Sequence, residues 1–142
     1  MKIEQLTHID DAVLKAFQKL IPQLTGNPER YPTREELERV IKSEDTLVFV
    51  AEENDEILGT VTLALYRIPS GTKAWIEDVV VDESARGKGV SVALMKYALD
   101  AARNIGVEKV DLTSQPFRVA ANNLYVKLGF ELRETNVYRF KF

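Results

Sequence analysis

The segment Val79 to Ser91 limits the possible folds more than any other part of the chain. Val79-Val80-Val81 is a β-branched run suited to a buried strand. Asp82-Glu83-Ser84-Ala85-Arg86-Gly87-Lys88-Gly89 follows, with two glycines and two cations. Val90 to Ile105 then places Ala93, Leu94, Tyr97, Ala98, Ala101, Ala102 and Ile105 on one helical stripe. A strand therefore feeds a helix through a glycine turn. Gly106 fits the helix stop, and Lys109 to Thr113 reads as another strand. Strand, helix, strand over about 40 residues makes a parallel crossover, right-handed by default.

The glycine turn has the chemistry of an anion cradle. The first turn of a helix carries unpaired N–H groups and the positive end of the dipole. Gly87 and Gly89 let the backbone approach a phosphate and permit positive φ, while Arg86 and Lys88 add charge. The spacing is not that of a P-loop, Gly-x4-Gly-Lys-Ser/Thr, nor Gly-x-Gly-x-x-Gly, because position 92 is Val. Nucleotide triphosphatase and dinucleotide-binding readings are therefore weak. On this motif alone, a plain strand–helix turn with solvated cations is the competing reading.

The remaining elements follow from periodicity. Lys2 to Thr7 is the first strand candidate, and His8 to Leu24 reads as a helix with Val13, Leu14, Phe17, Leu20 and Ile21 on one face. Asp10 or Asp11 caps it, and Pro22 suggests its end. Pro22 to Pro32 is a loop, and Thr33-Arg34-Glu35-Glu36 fits a capping box at the start of a second helix. Leu47 to Ala51, Ile57 to Tyr66 and Ala74 to Val81 are strands joined by turns at Asn54-Asp55 and Pro69-Ser70-Gly71, and so form antiparallel hairpins. Ala120 to Leu128 is a shorter helix, and Phe130 to Phe142 predicts two short strands. The fold class expected is α+β: a mixed, mainly antiparallel sheet of about seven strands with about four helices on both faces.

Composition narrows the functional classes. A chain of 142 residues is one domain at roughly 150 residues per domain. With no cysteine, disulfides, thiolate metal sites and a cysteine nucleophile are excluded. A single histidine, His8, argues against histidine metal sites and relays. The net charge of −3 does not suggest a nucleic-acid binder. No apolar run approaches the ~20 residues needed to cross a membrane, and the N-terminus lacks a signal-peptide core. The expectation is a cytoplasmic protein without metal, nucleic-acid or membrane partners.

Val81-Asp82-Glu83-Ser84-Ala85-Arg86-Gly87-Lys88-Gly89-Val90 resembles the acetyl-coenzyme A motif of the GNAT N-acetyltransferase superfamily, Arg/Gln-x-x-Gly-x-Gly/Ala after a strand and opening a helix. Ala121-Asn122-Asn123-Leu124-Tyr125-Val126-Lys127-Leu128-Gly129-Phe130 is similar to a second segment of the same superfamily. The element order also looks like that three-layer α/β/α fold, over nearly the whole chain. Two positions depart from the pattern. Ser91 stands where Gly or Ala is usual, and Arg118 stands seven residues before Tyr125, where many members have Asn. Ile76-Glu77-Asp78-Val79-Val80-Val81 is similar to the corresponding strand of glucosamine-6-phosphate N-acetyltransferases.

The resemblance implies roles. The diphosphate of acetyl-coenzyme A would sit on the amides of Gly87, Lys88, Gly89, Val90 and Ser91, with Arg86 at the start of the cradle. Its pantetheine arm would lie beside Val79, Val80 and Val81, pairing with main-chain groups at Val79 and Val81, and the Val79 N–H would face the developing oxyanion. Tyr125 is the candidate acid for the leaving thiolate, and Arg118 a candidate phosphate contact or a solvated side chain. Glu77 and Asp78 are candidate bases; as strand neighbours they face opposite sides of the sheet, so at most one reaches the substrate directly. A salt-bridge role for them, or a bound water as base, stays open. Arg30, Tyr31, Tyr66, Arg67 and Tyr138 are acceptor-side candidates. The expected activity is acetyl transfer from acetyl-coenzyme A to a small-molecule or peptide primary amine. A non-catalytic coenzyme A-binding module is the alternative. Val137 to Phe142 alternates and leaves a strand edge, which fits a homodimer.

Overall fold

Strand alternation in the first half of the chain builds an antiparallel sheet. In the computed structural model, which describes residues 1–142, the strands β1 (Lys2–Gln5), β2 (Thr46–Glu53), β3 (Glu56–Ile68) and β4 (Gly71–Val81) lie in the spatial order β1-β2-β3-β4. Asn54 and Asp55 take φ of 53° and 63°, the left-handed pair whose twist suits a two-residue hairpin between β2 and β3. Register then sorts the side chains. Val48 pairs with Thr62 and Val50 with Thr60, so these four share one face; Phe49, Val61 and Leu63 take the other.

Helices cover both faces. On the first face, α1 (Asp11–Thr25) and α2 (Arg34–Lys42) bring Val13, Phe17 and Leu37 against Leu6, Ile9, Val48 and Val50. On the second, α3 (Val90–Ile105) sets the Tyr97 ring edge-on to Phe49 at 5.1 Å and buries Leu94 and Met95 completely. Each fully buried side chain of this size contributes roughly 1.5–3 kcal/mol. Caps fix the helix starts. The Asp10 carboxylate accepts from Val13 N–H at 2.8 Å, and Thr33 with Glu36 forms the expected reciprocal box.

Three expectations are corrected. Pro22 does not end α1; the helix runs through it and stops at Gly26, whose N–H donates to Pro22 C=O. The missing proline N–H costs one helical bond, which the flanking turns outlast. Lys109 to Thr113 is not a strand: only Asp111 bridges β4, in parallel, opposite Trp75. Phe130 to Phe142 carries no strand, so the sheet has four antiparallel strands, not about seven in a mixed sheet. Alternation supplies faces, but a strand also needs a hydrogen-bonding neighbour.

Residues 1–112 form one compact unit and residues 113–142 a second. The second unit contains α4 (Val119–Lys127), followed by Gly129 at φ 103°. Within it the Tyr125 and Phe130 rings meet edge-to-face at 5.9 Å. No helix is long and apolar enough to cross a membrane.

Candidate active site

Near the end of β4 the ladder skips a residue. Thr62 pairs with Glu77 and Thr60 with Val80, so Asp78 and Val79 together oppose Val61. This is a β-bulge, and Asp78 takes its left-handed position at φ 49°, a conformation that aspartate tolerates better than most residues. A bulge breaks strict alternation, so the expectation that Glu77 and Asp78 face opposite sides does not hold here. Glu77 shares the Thr62 side by register, and Asp78 lines a cavity with Thr60 and Thr62.

The two carboxylates are electrostatically unusual. Both residues retain exposed surface, yet protein atoms crowd their carboxyl groups. Partial withdrawal from water raises the pKa of Asp78. The same effect raises that of Glu77, and the neighbouring Asp78 charge raises it further.

The outer edge of β4 opens at the same place. Ile76 N–H donates to Asp111 C=O at 2.9 Å and Asp111 N–H to Ala74 C=O at 3.0 Å. Beyond Ile76 no strand pairs with that edge, which leaves Val79, Val80 and Val81 beside an open sheet margin.

The cradle follows directly. A short 3-10 turn, Glu83–Ala85, leads to Arg86, Gly87, Lys88 and Gly89. Gly87 and Gly89 take φ of 77° and 78°, so both glycines are required by the backbone. The first helical bond of α3 runs from Ala93 N–H to Gly89 C=O, and no side chain caps the helix. The amides of Val90, Ser91 and Val92 are thus left without helical acceptors. A Cβ added at Gly87 or Gly89 would meet no atom within 4 Å, so the turn is not packed against at either glycine. Arg86 reaches back to Val81 C=O at 3.4 Å and has no carboxylate partner. Open amides, a dipole end and two cations fit a diphosphate.

The cradle is tied to α1 by a cluster that sequence reasoning missed. Asp82 is 5% exposed. Its carboxylate accepts from the Ser84 hydroxyl, from Gln23 Nε2 at 2.7 Å and from Lys19 Nζ at 3.2 Å. Gln23 Oε1 in turn accepts from Glu83 N–H at 3.0 Å. The Ser84 and Gln23 hydrogen bonds, with Lys19 adding less, lower the Asp82 carboxyl to about 2. Lys19 and Gln23 stand at i, i+4 on α1, but nothing local points them at a residue some sixty positions away.

A cavity of about 240 Å³ lies between α1, α2 and the sheet. Arg30 and Tyr31, the acceptor-side candidates, line it together with Asp78. Tyr66 and Arg67 do not: the Tyr66 hydroxyl accepts from Trp75 Nε1 at 3.0 Å, and Arg67 pairs with Asp45 at 2.6 Å. His8 is exposed beside Thr7, and Tyr138 is exposed in the second unit. The polar pair Thr60 and Thr62 on an otherwise apolar face was the signal available for the cavity wall.

Tyr125 and Arg118 belong to the second unit. Arg118 precedes α4, where its C=O accepts from Asn122 N–H at 3.0 Å. Tyr125 is buried, and burial raises its phenol pKa while the Arg118 charge opposes the rise. The phenol is therefore protonated at neutral pH.

A sheet that opens at a bulged strand thus passes through an amide nest into a long helix. Residues 13–130 match the acetyltransferase (GNAT) family, and the chain belongs to that family. Acetyl-coenzyme A is the co-substrate that membership implies. The chain is 33% identical over 105 residues to the N-acetyltransferase YhdJ of Bacillus subtilis (strain 168), covering 72% of this chain and 73% of that one. It is 36% identical over 92 residues to glucosamine 6-phosphate N-acetyltransferase of Trypanosoma brucei brucei, covering 63% and 60%. Among the first relatives at this similarity the chain spans from 38% to 73% of the other protein's length. A putative acetyltransferase from Agrobacterium tumefaciens str. C58 superposes with a TM-score of 0.85 at 22% identity, over 99% of this chain and 100% of that one.

Proposed function

We propose that this chain is a single catalytic domain that moves the acetyl group of acetyl-coenzyme A onto a primary amine, by direct attack in a ternary complex. The observation that carries this reading is the uncapped amide nest at Gly87–Ser91, directly continuous with the open edge of β4. A diphosphate on the nest leaves the pantetheine arm free to run along Val79–Val81, using main-chain groups as an added strand would. The Val79 N–H then serves the oxyanion.

The acceptor ammonium gives one proton to a carboxylate, Asp78 or Glu77, or to a water held there. The free amine attacks the thioester carbonyl, so a C–N bond forms and the C–S bond breaks on collapse. The leaving thiolate takes a proton from Tyr125, and the second proton shed by the amide nitrogen restores the phenol. One proton is released per turnover. A carboxylate with a raised pKa is a better base than an ordinary one. Holding both reactants in one geometry supplies much of the rate.

Isothermal titration with acetyl-coenzyme A, and thiol release in the presence of primary amines, test this reading. Saturable binding with amine-dependent thiol release is expected. Absence of binding at high micromolar concentration refutes it. Binding without thiol release from any amine makes the chain a non-catalytic coenzyme A module instead.

A further inference from the structure

The cavity between α1, α2 and the sheet says what kind of amine this chain accepts, given the acetyl-transfer reading on which the inference rests. Its floor is the apolar cluster itself, with Leu6, Phe17, Leu37 and Val48 reaching the cavity surface. Ile21 and Ile41 extend that wall. Its polar side chains are Arg30, Tyr31, Glu36, Thr60, Thr62 and Asp78, and two of the six are engaged within the protein. The Thr60 hydroxyl donates to Phe49 C=O at 2.9 Å, and the Glu36 carboxylate accepts from Thr33 N–H at 3.3 Å in the capping box. The Asp78 carboxylate, by contrast, takes part in no hydrogen bond or ion pair within the protein, and the bulge delivers it to the cavity wall. One free anion at the edge of an aliphatic chamber fits a single ammonium on an apolar body.

Size points the same way. About 240 Å³ falls below the roughly 300–1,000 Å³ of sites for drug-sized ligands. One ring or a short alkyl chain fills it; most of a polycyclic amino sugar would stand outside it. A hydroxyl-rich acceptor would also press much of its polar surface against the aliphatic wall.

We propose that the acceptor is a compact primary amine with an aryl or alkyl body, its carbon skeleton packed between α1, α2 and β2 and its nitrogen at Asp78. Hydrophilic polyamines and amino sugars are poor acceptors for this chamber. Arg30 and Tyr31 stand at the loop that borders it and set the depth to which the body enters.

The test uses the full chain, acetyl-coenzyme A and a panel of amines followed by thiol release. 2-Phenylethylamine is expected to exceed glucosamine 6-phosphate, spermidine and an aminoglycoside by at least about 100-fold in kcat/KM, the equivalent of roughly three to four buried methylenes. Along n-alkylamines kcat/KM is expected to rise roughly four-fold per methylene until the chamber is full. Val40→Asp, at a partly exposed cavity position, is expected to raise the KM for 2-phenylethylamine at least about ten-fold, leaving the KM for acetyl-coenzyme A and the melting temperature unchanged. Faster turnover of any of the hydrophilic amines or of a peptide N-terminus overturns the proposal, as does an unchanged amine KM in Val40→Asp. Acetyl-coenzyme A binding with no turnover of the apolar amines overturns it too, while cofactor binding still stands. If acetyl-coenzyme A itself fails to bind, the acetyl-transfer reading falls. Methyl NMR shifts of Leu37 and Ile41 on adding 2-phenylethylamine then decide the chamber alone: saturable shifts support it, and none overturns it.

Discussion

Asp82→Asn should cost this protein measurable stability, and the cost should vanish in acid. The Asp82 carboxyl is 5% exposed and accepts from Ser84, Gln23 and Lys19. Lowering it from 3.8 to about 2 corresponds to about 2 kcal/mol of folding free energy. Because the folded pKa is depressed, that stability is fully present above the unfolded value near 4. It is lost as pH falls from about 4 to about 2. At neutral pH the variant should lose about 2 kcal/mol, or roughly 6–8 °C of melting temperature in a domain this size. The partners should rank by their contribution. Gln23→Ala and Ser84→Ala should each cost about 1 kcal/mol. Lys19→Met should cost less than about 0.5 kcal/mol, because its side chain is 65% exposed and the pair is screened. Urea unfolding of all four variants at pH 7 and pH 3 makes the comparison. A difference between wild type and Asp82→Asn that stays constant from pH 7 to pH 3 would refute the charged-hub account. So would a loss at Lys19→Met as large as that at Gln23→Ala.

The other predictions concern the sheet, the nest and the chemistry. Gly59→Ala would place a Cβ 2.9 Å from Val80 C=O and 3.2 Å from Leu94, so thermal unfolding should show a loss of about 1–3 kcal/mol. Gly89→Val should raise the dissociation constant for coenzyme A at least about ten-fold by calorimetry, because a branched side chain at a left-handed φ strains the turn that carries the nest. Tyr125→Phe should lower kcat about 100-fold with cofactor affinity unchanged, as expected of a lost general acid. Turnover should rise with pH through a carboxyl pKa above the ordinary aspartate range, since the base works deprotonated and burial raises Asp78; Asp78→Asn should remove that limb from the pH–rate profile. Light scattering should give a dimer mass, because Val137, Tyr138, Phe140 and Phe142 are all exposed in the second unit; a monomer mass at working concentration ends that expectation.

What could be read from sequence was what neighbouring residues decide. Thr33 and Glu36 form their box because both partners sit within one turn. Gly87 and Gly89 announce left-handed backbone before a helix, and the structure has it at both. The strands β2 to β4 were legible because two turns and an alternating run specify the hairpins. The failures have the opposite character. Lys109 to Thr113 has the composition of a strand, but β4 bulges after Glu77, and a ladder needs the partner's edge as well as its own. Val137 to Phe142 alternates without a neighbour.

The division runs through the candidate site as well. Its cofactor half is made mostly of backbone: amides, a helix dipole and a strand edge, all within Val79–Ser91. Backbone chemistry depends on where glycines and strands fall, so it survives into the sequence as a motif. Its acceptor half is made of Leu6, the loop at Arg30–Pro32 and side chains from α1, α2, β2, β3 and β4, each chosen for local packing as much as for the ligand. No contiguous string records that chamber. The bulge joins the halves. A regular β4 would turn Glu77 and Asp78 to opposite faces, whereas the extra residue at Asp78–Val79 puts a free carboxylate on the cavity and breaks the ladder where the sheet edge opens. One backbone irregularity thus sets both the proposed base and the proposed slot for the donor. Deleting it, rather than altering any single side chain, should abolish turnover while leaving the diphosphate nest, and hence binding of the diphosphate portion of coenzyme A, largely in place.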